Sequence, residues 1–257
     1  MTVAARATRT TKPKPAITRD RYHRYTFEGS VYPGVTSLIK VVDKSDVLMR
    51  WAARNTAEAA ILQAANLPSL LETSGKEGVI RLLAERSSWK RDAAADLGTD
   101  LHGYADRISQ GEDIAKDTVP DEAWARASGY AEWWKASGWR RRITEAYIVN
   151  RTLGYGGTID LLAYDEEGRT VLADVKSGKG VYGETILQLV GYGMAEMIAP
   201  ADSPVAYPMP AIDRYAVLHV TDAGVRVIDL EPTEEDRAAF RACIPLSAWQ
   251  KAHKDAL

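Results

Sequence analysis

A single cysteine, Cys243, stands in 257 residues. Internal disulfides and any multi-cysteine metal centre, an iron–sulfur cluster included, are thereby excluded. No apolar run approaches the ~20 residues that a membrane span needs. The opening residues hold no hydrophobic signal segment either, so the expectation is a cytoplasmic chain with no membrane partner. Charge of one sign is also lacking. A net charge of −2 argues against a protein that coats DNA through a globally basic surface. The glycine-rich phosphate loop ending in Gly-Lys-Ser/Thr is missing, so any unwinding of a duplex must come from another protein. We find no internal repeat.

What is present is ordinary in amount and uneven in placement. A hydrophobic share of 46% with 26% charged residues is that of a globular chain. Its length suits one large domain or two small ones with a substantial core. Residues 1–24 hold seven cations (Arg6, Arg9, Lys12, Lys14, Arg19, Arg21 and Arg24) against Asp20 alone, a balance of +6 that leaves −8 on the rest. A basic arm on an acidic body suits transient phosphate contact. A disordered, solubilising tail over residues 1–17 is the alternative. The remainder, 18–257, reads as one domain, mainly helical over 18–140 and sheet-containing over 141–257.

Periodicity and turn chemistry place the elements. Residues 22–32 read as a small hairpin turning at Glu28-Gly29-Ser30. Helices are expected over 35–42, 46–65, 76–85, 89–109 and 122–136. Strands follow over 143–150, 156–164 and 170–176, then a helix over 184–198. Strands over 214–220 and 225–230 pair across a turn, and helices over 233–242 and 247–254 close the chain. This order predicts an α/β fold: a central mixed β-sheet flanked by helices, preceded by an N-terminal helical region.

Within the strands, Asp160, Asp174 and Lys176 form the most informative group. Asp165-Glu166-Glu167-Gly168-Arg169 is a polar turn between two apolar strands. A hairpin symmetric about Glu167 pairs Tyr164 with Thr170, Leu162 with Leu172, and Asp160 with Asp174. Directly opposed like charges are destabilising, and Lys176 shares the Asp174 face. Two carboxylates meeting on a central hairpin point to a divalent cation. A solvated hairpin with scattered charges, or a plain Asp–Lys ion pair, are the other readings.

The arrangement Gly157-Thr158-Ile159-Asp160, thirteen residues, then Asp174-Val175-Lys176 resembles the PD-(D/E)xK nuclease superfamily, and its RecB-like, phage-exonuclease branch in particular. Ile159 stands where the proline of the superfamily name would be. Gly98-Thr99-Asp100-Leu101-His102 is similar to that branch's upstream glycine–histidine motif. Gln188-Leu189-Val190-Gly191-Tyr192 is similar to its downstream Gln-x-x-x-Tyr motif. The resemblance spans about residues 95–195, with four motifs in the expected order.

The resemblance implies a restriction-endonuclease-like core and a Mg²⁺- or Mn²⁺-dependent deoxyribonuclease with one or two ions. Asp160, Asp174, the Val175 carbonyl and His102 would be metal ligands, and Glu145 would reach a second ion or face solvent. Lys176 would orient the attacking water or offset developing charge. Gln188 would orient Lys176 or touch the scissile phosphate. Tyr192, Ser177, Lys179 and Arg141 would line the DNA path. Helical context alone, with Ala95, Gly98, Ala105 and Asp106 on its face, favours a core histidine satisfied by a backbone carbonyl; the resemblance reverses this for His102. His23, His219 and His253 read as structural. An imidazole ligand favours Mn²⁺. Gly191 and Gly193 each cost their helix about 1 kcal/mol, which fits a close approach of backbone to another element. Trp133 and Trp134 could stack bases or pack the core.

The leading expectation is therefore an exonuclease of phage or bacterial recombination, in a bacterial or phage-infected cell, with a recombinase or single-strand-annealing partner. A site-specific or structure-specific endonuclease is one alternative. A non-catalytic nucleic-acid-binding subunit is another. Polarity and oligomeric state are not encoded in any motif.

Overall fold

The computed structural model describes residues 13–42, 45–178 and 180–253. Two sheets form. The smaller holds β1 (Ile17–Arg19), β2 (Arg24–Phe27) and β3 (Ser30–Pro33) in that order. The larger has seven strands: β4 (Arg140–Asn150), β5 (Tyr155–Tyr164), β6 (Thr170–Lys176), β7 (Met197–Ala199), β8 (Tyr207–Pro208), β9 (Arg214–Thr221) and β10 (Gly224–Leu230). Their order across the sheet is β10-β9-β6-β5-β4-β7-β8, and only β6 and β9 run parallel. The fold is thus α/β with a mixed sheet. β6 is an interior strand next to the central β5, and its first six residues are all buried, as expected of a strand covered on both faces.

Helices cover both faces. On one side α3 (Leu67–Ser109) and α4 (Asp121–Ala136) pack Leu101, Ala105, Ile108 and Tyr130 onto Leu161, Ala163 and Val175. On the other, α1 (Val35–Leu38), α5 (Gly183–Gly193) and α6 (Glu234–Ala252) pack Val35, Leu189 and Phe240 onto Ile159, Leu162 and Leu172. The small sheet packs on β4, setting Ile17, Tyr25 and Phe27 against Val149 and Ala199. α2 (Ser45–Leu62) runs ahead of α3.

The expected hairpin register is present: Tyr164 pairs with Thr170 and Leu162 with Leu172. Four expectations change. The helices placed at 76–85 and 89–109 are one element, broken only where Gly75 takes φ 66°; neither glycine nor proline interrupts residues 79–97. The helix placed at 184–198 stops at Gly193, and 197–199 becomes β7 on the edge of β4. Glu196 fixes that switch. Its backbone N–H donates to the Val149 carbonyl, and its carboxylate accepts the N–H groups of Arg151 and Thr152. The two terminal helices are continuous through Pro245. Burial of Phe240 and Cys243 holds the segment where the proline removes one helical bond. The basic arm, finally, does not extend to residue 17, because Ile17 opens β1 and is fully buried. No helix among the described residues is long and apolar enough to cross a membrane.

Candidate metal centre

The β5–β6 ladder runs from Tyr164↔Thr170 to Leu161↔Ala173 and ends there. One step on, the strands part, and the Val175 N–H donates to Asp160 Oδ2 at 2.8 Å. Asp160 thus takes a bond that a ladder partner would otherwise have supplied. His102 Nδ1, from α3, lies 3.3 Å from the same oxygen. Glu145 sits across from Asp160, between the pairs Thr144↔Leu161 and Ala146↔Ile159. Its backbone is left-handed, φ 46°, an irregularity that breaks the strand's alternation and brings its carboxylate to the cluster. One ligand atom each of His102, Glu145 and Asp160 lies within 4.8 Å of the others. They border a small cavity of about 10 Å³ together with Tyr130 and Val175, about the volume that one water-sized sphere occupies.

Asp174 is held from the other layer. It is 1% exposed, its Oδ2 stands 2.7 Å from Lys176 Nζ, and its Oδ1 accepts from Gln188 Nε2 at 2.9 Å. Gln188 Oε1 accepts from Lys176 at 3.3 Å, and Gln188 Nε2 also donates to the Tyr192 hydroxyl at 3.0 Å. Gln188 therefore ties the acid to the lysine. Direct opposition of Asp160 and Asp174 is corrected: the third member of the cluster is Glu145, while Lys176 and Gln188 draw Asp174 aside. The two aspartates remain electrostatic neighbours, each shifting the other's surroundings.

The charges explain one another. The Asp160 carboxylate lifts His102 to about 9, against the opposing effect of burial. Burial would raise Asp160, but the His102 charge and hydrogen bond, Lys176 and the Val175 N–H prevail and hold it low. Burial pushes Glu145 up to about 7, and the nearby Asp160 charge adds to this. Burial first, then Asp160, raises Asp174. Burial works against the Lys176 charge, but Asp174 and Asp160 more than offset it. A buried acidic group held above its ordinary range is a site short of positive charge.

That donor set fits a divalent cation. Two carboxylates and an imidazole converge. The buried Asp174 Oδ2 has the Lys176 ammonium at 2.7 Å, outside good hydrogen-bond geometry, so its lone pairs are incompletely used.

The remaining expected residues fall out differently. Glu145 belongs to the cluster rather than to the surface. Val175 borders the cavity and spends its N–H on Asp160. Ser177 abuts α3 at Gly98, where a Cβ would stand 3.5 Å from the Ser177 Oγ. Tyr192 is corrected from a substrate contact to a buried support for Gln188. Arg141 is not brought to the cluster. It is exposed and pairs with Ala163 near the hairpin turn, roughly 13 Å along the strand from Glu145. Arg140 and Arg142 instead stack over Tyr164. Lys179 lies outside the described residues. Trp133 and Trp134 pack with Tyr130 rather than facing outward as a stacking platform. His219 bonds the Gly178 carbonyl at 2.7 Å and His253 the Trp249 carbonyl at 2.9 Å. Gly191 and Gly193 do mark close approaches, to Phe240 and Tyr215.

Sequence reasoning passed over Thr158. It shares a hydrogen bond of 2.8 Å with the Tyr25 hydroxyl and accepts from Arg19 at 3.4 Å. The signal was its place two residues before Asp160 in the same motif. Compared with family models and with curated proteins, the chain matches none.

Proposed function

We propose that this protein is a Mg²⁺- or Mn²⁺-dependent deoxyribonuclease, an exonuclease that hydrolyses phosphodiester bonds in phage or bacterial DNA processing. The observation that carries the reading is the convergence of His102, Glu145 and Asp160 beside the Asp174–Lys176–Gln188 chain. His102, Glu145 and Asp160 would hold the cation, with Asp174, paired to Lys176, beside them. The cation supplies Lewis acidity and makes a water more acidic. The chain's own groups supply the rest. Lys176 sets an ammonium group where negative charge grows on the phosphoryl oxygens, and Gln188 fixes its direction. To serve as a ligand His102 would have to be neutral, and Asp160 would keep its imidazole oriented.

The test is incubation with labelled linear and covalently closed circular DNA in Mg²⁺ or Mn²⁺. Linear ends should shorten while circles resist. Asp174→Ala and Lys176→Ala should each lose at least about a hundredfold in rate. Undiminished digestion by either variant would contradict the site. Discrete bands would indicate an endonuclease, and binding without cleavage under any metal a non-catalytic subunit.

A further inference from the structure

Arg19 is exposed and ends β1. Most arginines of the described chain pair with a carboxylate: Arg24 with Asp20, Arg107 with Glu112, Arg169 and Arg214 with Asp165. Arg19 has no such pair among the described residues. Its guanidinium rests 6.0 Å over the Tyr147 ring and donates to Thr158 Oγ1 at 3.4 Å, while the same hydroxyl shares a hydrogen bond with Tyr25. Two neutral contacts therefore aim this cation without neutralising it. A planar guanidinium held so is pre-organised for a phosphate.

Its position is the second observation. Tyr147 and Thr158 are partners across β4 and β5. Each lies two residues from Glu145 and Asp160 respectively, a step of roughly 7 Å along the strands. That is close to the separation of successive phosphates in a nucleic-acid strand. The small sheet packs on Val149 and Tyr147, the same stretch of β4 that carries Glu145. The Arg19 charge reaches the cluster, easing the ionisation of Glu145.

We propose that Arg19, seated on Tyr147 and Thr158, is a positioning residue that grips the phosphate next to the scissile one and so sets the register of the DNA strand over the acidic cluster. This rests on the nuclease reading. The subsite needs only a phosphodiester backbone, so it reads no base.

The experiment measures binding separately from cleavage. A short fluorescent single-stranded oligodeoxynucleotide is titrated in Ca²⁺ against the wild type, Arg19→Ala and Arg19→Lys, over a range of salt concentrations. Arg19→Ala should weaken binding about tenfold and flatten the salt dependence by about one phosphate contact. Arg19→Lys should recover most of the affinity. In a second arm one methylphosphonate is moved along the oligonucleotide. One position should weaken wild-type binding and leave Arg19→Ala unaffected. Binding and salt dependence equal to wild type in Arg19→Ala would overturn the proposal. So would loss in both variants together with a lowered unfolding temperature, which would mark a mere staple of the small sheet. A wild type that binds through Arg19 but cuts nothing would sink the nuclease reading and leave this subsite standing. A wild type that binds no oligonucleotide would end both.

Discussion

Glu145 is held in a left-handed backbone conformation, φ 46°, which costs a non-glycine residue of order 1–3 kcal/mol. Its carboxyl is half-buried and raised to about 7, chiefly by burial. A shared cation with Asp160 would compensate such strain. Comparing Glu145→Gly with Glu145→Ala isolates the backbone, because both lose the acid. In chemical denaturation the glycine variant should be more stable than the alanine variant by about 1 kcal/mol. Both should bind Mn²⁺ at least tenfold more weakly than wild type. A glycine variant less stable than alanine would show that φ is relaxed in solution.

His102 makes a second residue-scale prediction. Its folded pKa, about 9, is raised above the unfolded 6.5 by Asp160. The stability it contributes is therefore complete below about pH 6.5 and is lost as pH rises through about 9. A metal ligand must be a neutral imidazole. Near pH 8, where Glu145 is mostly ionised, Mn²⁺ binding should release about one proton, read by calorimetry in buffers of different ionisation enthalpy. In His102→Asn that release should vanish. Cation binding with no proton release at pH 8 would remove His102 from the ligand set.

At the scale of elements, the β5–β6 hairpin is organised by Asp165. Its buried carboxylate accepts from the backbone N–H groups of Glu167 and Arg169, from Arg169 Nε at 2.8 Å, and from Arg214 Nη1 at 3.2 Å. Burial alone would raise its pKa, but the bonds and charge from Arg169, then Arg214, hold it below the ordinary carboxylate range. A depressed folded pKa contributes stability above the unfolded value of about 3.9 and loses it as pH falls through the folded one. Asp165→Ala should cost roughly 3–5 kcal/mol at pH 7 and clearly less at pH 3. An equal loss at both pH values would deny the charge its part.

α5 carries a cleaner packing test. A Cβ on Gly191 would stand 2.6 Å from the Phe240 ring, whereas one on Gly183 meets nothing within 4 Å. Gly191→Ala should destabilise by about 1–3 kcal/mol and Gly183→Ala by nothing measurable or slightly the reverse. Equal unfolding midpoints for the two would contradict the packing of α5 against α6.

Much of this scale was legible beforehand. The hairpin register as far as Leu162↔Leu172 followed from symmetry about Glu167 in the polar turn, and Gly191 announced its close contact. The left-handed Glu145 was not legible, because a backbone irregularity at a non-glycine residue leaves no compositional mark. Nor was β7, whose existence depends on the free edge of β4 and the Glu196 carboxylate rather than on Met197-Ile198-Ala199 themselves. Asp174 was singled out in the sequence, yet its turn towards Lys176 and Gln188 depends on a helix from the opposite layer.

At the scale of the whole molecule, the sheet acts as a partition. α3 brings His102 to one side and α5 brings Gln188 to the other. The residues they carry come near one another where β5 and β6 part after Leu161↔Ala173. That opening makes one centre from two layers, and a cation shared by Asp160 and Asp174 would tie them together. Binding should therefore stabilise the fold as well as enable chemistry. The most direct measurement is anomalous X-ray diffraction from crystals grown with Mn²⁺. The account predicts a manganese peak enclosed by His102, Glu145, Asp160 and Asp174. A peak elsewhere, or none at saturating Mn²⁺, would contradict it.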